Sequence, residues 1–282
     1  NIVSNGVNIC FNYLLIGGNL GFPRLGVRGA AIATVIGTVA ACAMSIRSVL
    51  RHDSFLNLRG RVKVSFDRET MRAIVNIGSS TLAEQLFLRI GFLTYSIIVA
   101  HLGTTAFAAH QVGMNIMSIS FSFGDGLSVA SVALVGRSLG EHRRDLARIY
   151  GGICQKVGIF FALVLSVIYL CFSQQIFLLF SDEKQILDYG TMIMRLLTVV
   201  VFLQISQVVF TGCLRGAGDV RYTAFVSLVS VAFVRPFSGW LFCYPLNLGL
   251  FGAWLGLALD QLVRFLMTYF RFRKGKWVDL KI

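Results

Sequence analysis

Charge is scarce in this sequence: Asp, Glu, Lys and Arg make up 14% of its 282 residues, where a soluble domain carries about a quarter. With 56% hydrophobic residues and a mean hydropathy of +0.73, the expected solvent is a lipid bilayer. Other features are missing too. The six cysteines form no C-x-x-C pair and lie in or beside apolar runs, which argues against a disulfide framework or zinc site and leaves them as small hydrophobes. No G-x-x-x-x-G-K-[S/T] loop occurs, which argues against ATP-driven transport by this chain. The four histidines (His52, His101, His110, His142) are scattered over loops and span ends, so no enzyme and no cofactor are expected. No filter loop or ring of charge marks a channel. No cleavable signal segment is visible, and the chain opens at Asn1 inside an apolar run.

Acids are the scarcer charge, 13 against 26 bases, for a net charge of +13. In a soluble protein that balance would suggest nucleic acid. Here the bases stand at the ends of apolar spans, where positive-inside topology and anionic headgroups account for them. The expected partners are membrane lipids, with no nucleic acid. The longest polar stretch, Arg47 to Arg72, carries Arg47, Arg51, Arg59, Arg61, Lys63, Arg68 and Arg72 against Asp53, Asp67 and Glu69. Such a seam is held on the cytoplasmic side because Lys and Arg resist translocation.

A crossing takes about 20 apolar residues. That ruler gives eight candidates, at approximately 1–18, 28–50, 72–100, 106–139, 151–174, 189–212, 221–243 and 249–270. Their loops alternate. Basic ones follow the second span (the seam), the fourth (Arg137, Arg143, Arg144, Arg148), the sixth (Arg215, Arg221) and the eighth (Arg271, Arg273, Lys274, Lys276). The intervening loops are poor in base; in one of them Lys184 is outnumbered by Asp182, Glu183 and Asp188. The alternation predicts an all-α multi-pass protein of the cell membrane, with the seam and the C-terminus both cytoplasmic.

The hexapeptide L-G-V-R-G-A at Leu25–Ala30 returns as L-G-L-F-G-A at Leu248–Ala253, each copy following a proline (Pro23, Pro245) and opening a span. Parallel repeats are a common way to build transporters around a central site. Six spans follow the seam and two precede it, so a six-span unit implies that four opening spans are lacking.

The motifs N-G-V-N-I-C-F-N-Y-L-L-I (Asn5–Ile16), G-V-R-G-A-A-I-A-T (Gly26–Thr34), E-Q-L (Glu84–Leu86), A-A-H-Q-V (Ala108–Val112), L-V-G-R-S-L-G (Leu134–Gly140) and L-R-G-A-G-D-V-R (Leu214–Arg221), in this order and spacing, resemble the multidrug and toxic compound extrusion (MATE) transporters. The resemblance covers essentially the whole chain. It implies a fold of twelve helices in two lobes, of which these spans would be helices 5 to 12. Residues 1–52 would then end the N-terminal lobe, 53–71 would be the cytoplasmic linker, and 72–282 the six-helix C-terminal lobe.

Polar residues inside spans are the candidate site. An ionisable group at bilayer depth costs about 3 kcal/mol on insertion scales, so each should face protein or water. Glu84 lies about 18 Å along the helix from Arg72 at 1.5 Å per residue, near the midplane. Burial there penalises the charged form, which lets a carboxyl group take up and release a proton. The resemblance implies a coupling ion or cationic substrate at an acid in this place; the competing reading is a paired Glu that only holds helices together. Asp260 and Arg264 stand four apart with the acid first, the geometry of a helical ion pair, and either packing or transport would account for them. Arg235-Pro236 kinks the seventh span and suggests a cavity wall or a hinge. Gly124-Asp125-Gly126 interrupts the long fourth span, lining a cleft or marking a bend. Gln111 and Asn115, one turn apart, offer either neutral hydrogen bonds to a substrate or interhelical glue. In relatives the resemblance points to, an N-lobe ion site draws on an Asn and an Asp of helix 5, a Thr of helix 6 and an Asp of helix 1. Asn8, Asn12 and Thr34 hold the matching places here. Asn12 stands where the acid would be, and the helix 10 acid of a sodium-coupled branch has no counterpart in Tyr189–Gly212, which offers Gln204 and Gln207.

The expected function is a monomeric antiporter that exports drugs or other organic cations against protons or sodium by alternating access. The alternatives are a lipid-linked oligosaccharide flippase of the same superfamily, which would favour a strongly cationic cleft, or a non-transporting fragment.

Overall fold

Backbone that enters lipid must satisfy its own amides, so long apolar stretches fold as helices. The computed structural model describes residues 2–50, 67–180, 183–275 and 277, and among these it contains ten α-helices and no strand. Residues 51–66, most of the basic seam and of the expected linker, lie outside the described residues, as do Asp182 and Lys276.

Among the described residues, seven stretches are long and apolar enough to cross a membrane: Val27–Arg47, Gly78–Ala100, Thr104–Gly140, Arg144–Cys171, Lys184–Gly216, Val220–Cys243 and Gly249–Arg273. The remaining expected span is α1 (Ile2–Gly17), whose 16 described residues fall short of a full crossing. The protein is an all-α, multi-pass membrane protein. The contacts divide it into two compact units, Asn1–Asp67 and Arg68–Ile282.

The first unit is a hairpin of α1 and α2 (Val27–Val49). Gly29, Ala33 and Gly37 recur every fourth residue and form the face of α2 that meets α1. A Cβ on Gly29 would stand 2.5 Å from the Leu15 carbonyl oxygen, Ala33 is fully buried, and Ser4 Oγ donates to the Gly37 carbonyl at 2.8 Å. Small residues at this spacing let backbones touch where lipid gives no hydrophobic drive.

The second unit holds α3 (Arg68–Ala100), α4 (Thr104–Gly140), α5 (Arg144–Cys171), the short α6 (Ser173–Leu178), α7 (Lys184–Gly216), α8 (Val220–Ser227), α9 (Arg235–Cys243) and α10 (Gly249–Arg273). Its centre is α7, which packs on α4, α5 and α10. The α5 helix shows how lipid inverts the soluble pattern. Its small residues Gly151, Cys154, Gly158 and Ala162 are turned inward, while Phe160, Leu163, Val167 and Leu170 are exposed. The α4 helix runs unbroken through Gly124–Gly126, so the interruption expected there is absent. The kink expected at Pro236 instead takes the form of a π-helix, Leu228–Val234, between α8 and α9, in which the Arg235 amide reaches back to the Ser230 carbonyl. Pro236 has no amide to continue a regular ladder, and the wider turn precedes it.

The repeated hexapeptide is a repeat of backbone geometry. Gly26 and Gly249 both have φ +53, a left-handed conformation that glycine adopts without penalty. Leu25 donates to the Leu15 carbonyl at 2.9 Å, and Leu248 to that of Phe242 at 3.1 Å. Gly29 and Gly252 press on those same two carbonyls, each at 2.5 Å from where a Cβ would sit.

Candidate functional site

The polar centre of the second unit is a cavity of about 440 Å³ among α3, α4, α7, α8 and α10. Its walls mix Phe92, Met114, Met117 and Phe121 with four charged side chains, Glu84, Asp125, Arg215 and Arg264.

Local sequence accounts for how these groups converge. Gly212 and Gly216, one turn apart, bring α7 onto α4: a Cβ on them would meet the Ser128 and Val132 carbonyl oxygens, each at 2.7 Å. The helix then ends in L-R-G-A-G-D. The Asp219 amide bonds to the Leu214 carbonyl at 2.9 Å and the Gly218 amide to that of Arg215 at 3.0 Å, with Gly218 at φ +81. That paired 6→1 and 5→2 closure ends helices cleanly at a left-handed glycine. It places Arg215 in the last turn of α7 and starts α8 at once. The turn is tied down by Arg271, whose Nε donates to Asp219 Oδ2 at 2.8 Å.

Glu84 on α3 is 4% exposed. Its Oε1 accepts from Arg215 Nη2 at 2.6 Å and from Ser227 Oγ at 3.0 Å, and its Oε2 from Thr223 Oγ1 at 3.4 Å. Thr223 and Ser227 stand four apart on α8 and present two hydroxyls to one carboxylate. The apolar span of α3 starts at Gly78, so Glu84 is about 9 Å inside it at 1.5 Å per residue. That depth is what lets a side chain from the end of α7 reach it.

Behind the cavity lies a second cluster. Asp260 and Arg235 are both fully buried. Arg235 donates through Nε at 2.9 Å and through Nη2 to Asp260 Oδ2, and the Ser230 hydroxyl binds Oδ1. The Arg235 guanidinium also covers the Phe92 ring, 4.6 Å from its centroid. Arg264, the partner expected from spacing alone, is a more distant third member at 3.3 Å. Neither Arg235 nor Asp260 lines the cavity. Both are sealed into the packing because a charge at this depth is tolerated when another charge answers it. Of the two readings of Arg235-Pro236, a cavity wall or a hinge, the first does not hold for this cavity, and Arg264 is the member that reaches it.

In the first unit the structure brings Asn8, Asn12 and Thr34 together. Asn12 Nδ2 donates to Asn8 Oδ1 at 2.9 Å, and Asn8 Nδ2 to Thr34 Oγ1 at 3.3 Å. Asn12 Oδ1 is buried with no partner among the described residues. Gln111 and Asn115 are exposed on α4 and do not line the cavity. His110, expected at a span end, is buried in α4 against the rings of Tyr95, Phe107 and Trp254.

The sequence reading missed Arg215, which it counted as a loop base. The L-R-G-A-G-D motif marks the turn, but nothing in it says which helix the arginine faces. It also left Thr223 and Ser227 unremarked.

A model of the MatE family matches residues 81–241. A probable multidrug resistance protein NorM of Thermotoga maritima is 27% identical over 277 residues, covering 98% of this chain and 59% of that protein. The multidrug resistance protein MdtK of Edwardsiella ictaluri is 28% identical over 281 residues, covering 95% and 60%. Among solved structures, an outward-facing multidrug resistance MATE family transporter of the MOP superfamily superposes with a TM-score of 0.86 at 20% identity, over 98% of this chain and 62% of that one. A MATE crystal structure in the straight conformation gives 0.85 at 21%, over 98% and 61%. These structural likenesses bear on the fold alone. The chain spans about 60% of the length of the curated relatives it matches.

Proposed function

The chain belongs to the MatE family, and we propose that it works as a secondary exporter, moving drugs or other organic cations across the cell membrane in exchange for protons or sodium by alternating access. The observation that carries this reading is Glu84: an almost fully buried carboxylate at the wall of a cavity, with two hydroxyls and one guanidinium around it. Such a carboxylate binds a cation or a proton and cannot stably hold a bare charge without one. The Ser227 and Thr223 hydroxyls can turn their lone pairs toward an incoming cation. The aromatic and methionine walls supply polarizable, apolar surface for a lipophilic cargo, and the volume falls in the range of small-molecule sites.

Sodium and proton coupling make different demands on the two units. Asn8, Asn12 and Thr34 include no acid, so this set can coordinate sodium through amide and hydroxyl oxygens but cannot carry a coupling proton. A proton would therefore travel on Glu84 or Asp125. Residues 1–52 and 72–282 act as parts of the two lobes and 53–71 as their cytoplasmic linker, with the C-terminus on the cytoplasmic side and the protein working as a monomer. A flippase of lipid-linked sugars would call for a cleft dominated by bases, whereas here two acids line the cavity with two bases.

Glu84→Gln keeps shape and hydrogen bonding but removes the charge. In vesicles with an imposed proton or sodium gradient, efflux of a cationic dye should fall to background while helicity and thermal midpoint stay near those of the parent. Normal gradient-driven efflux in that variant would refute the assignment.

A further inference from the structure

The two buried carboxylates of the second unit hold their guanidinium partners in different ways. Asp260 and Arg235 are both fully buried, bonded through two guanidinium nitrogens, with the guanidinium stacked over Phe92. That pair is locked on every side. Glu84 and Arg215 meet through a single nitrogen, and exposure is lopsided: the Glu84 side chain is 5% exposed, that of Arg215 is 35%. The acid is the buried partner, and the base is the one exposed at the cavity. Its backbone is not free, because the Gly218 turn and the Asp219–Arg271 pair hold the end of α7. With the turn held, a departure of Arg215 from Glu84 would be a matter of its side chain alone.

The same cavity contains a second seat. Asp125 on α4 is exposed at its wall, has no hydrogen bond or ion pair among the described residues, and lines the same cavity as Arg215. On the neighbouring wall Arg264, only partly answered by Asp260, adds positive charge. A cation entering while Arg215 stays on Glu84 would meet a neutralised Glu84 and the unspent charge of Arg264, with Asp125 as the unpaired acid at the cavity wall.

We propose that Arg215 is a tethered counter-cation that occupies the Glu84 site until cargo arrives and then moves to Asp125, so that cargo binding and release are an exchange of two cations on one carboxylate. The inference rests on the reading of Glu84 as the cation site. It assigns Arg215 and Asp125 to the transport machinery, one as competitor and the other as its resting place. Arg215 makes Glu84 a site that a cation reaches by displacement. The carboxylate is never left bare as cargo leaves, which is the state that burial penalises most.

The test measures binding of tetraphenylphosphonium to the purified protein in detergent, with tetraphenylborate as an anion of the same shape. Arg215→Gln should tighten phosphonium binding about twofold to fivefold, the equivalent of a partly exposed ion pair no longer competing. Asp125→Asn should weaken it several-fold, because displaced Arg215 then has nowhere to go. Glu84→Gln should abolish it. None of the three should create affinity for the borate. Weakened or unchanged phosphonium binding in Arg215→Gln, with binding lost in Glu84→Gln, would overturn the exchange and make Arg215 a structural support. Unchanged binding in Glu84→Gln would instead bring down the underlying site reading. Should Arg215→Gln fail to fold, Asp125→Asn keeps the proposal open to refutation: parental phosphonium affinity in that variant would overturn it.

Discussion

At the scale of single residues, the informative contrast is between a carboxylate that opens on a cavity and one that does not. Asp260 accepts from Arg235, Arg264 and Ser230 with no exposure. Removing its charge leaves the Arg235 guanidinium stranded at bilayer depth. Asp260→Asn should therefore destabilise the protein by about 3–5 kcal/mol, read as a large drop in thermal midpoint. Replacing both partners, with Arg235→Met and Asp260→Leu, should recover most of the loss, because a buried pair can often be exchanged for packed apolar groups. Glu84→Gln should behave in the opposite manner, losing transport while keeping stability. A midpoint that falls equally in Glu84→Gln and Asp260→Asn would mean that both acids are structural. Spacing in the sequence paired Asp260 with Arg264, and the i,i+4 contact exists, but the shorter bonds come from Arg235 on another helix.

At the scale of helices, packing is governed by where backbones touch. Gly91 of α3 stands against the π-helix: a Cβ there would lie 2.2 Å from the Val231 carbonyl oxygen. Gly91→Ala should push α3 from this segment and cost about 1–3 kcal/mol, as overpacking does. The thermal midpoint reports it, and a neutral result would show that α3 moves away easily. Gly252→Ala carries the same conflict, against the Phe242 carbonyl. Gly78, which has open space around it, is the control: Gly78→Ala should be neutral or slightly stabilising, since alanine favours the helix. The hexapeptide echo was legible in the sequence as letters. Its reason, a left-handed glycine followed by a helix pressed on the preceding carbonyl, needed coordinates.

At the scale of the whole molecule, the alternating charge of the loops makes a topological prediction. Impermeant reagents directed at single cysteines placed at residue 60 and at residue 274 should label from the same face of the membrane, and a cysteine at residue 184 from the other. Labelling of 60 and 274 from opposite faces would break the positive-inside argument and the even count of crossings with it. The native Cys10, Cys42 and Cys171 are exposed and would be replaced first.

Composition and hydropathy by themselves determined that this chain is helical and which stretches are apolar enough to cross a membrane, because transfer into lipid depends on each residue's own chemistry. They marked Glu84, Asp260 and Arg235 as costly and therefore meaningful. Partners were another matter. Depth along a helix is a linear property of the chain, but facing is not: Glu84 meets Arg215 across 131 positions and Asp260 meets Arg235 across 25. Only the packing of α3, α7, α8, α9 and α10 decided which acid stays open to a cavity and which is closed, since that depends on how far each helix is turned about its own axis against its neighbours.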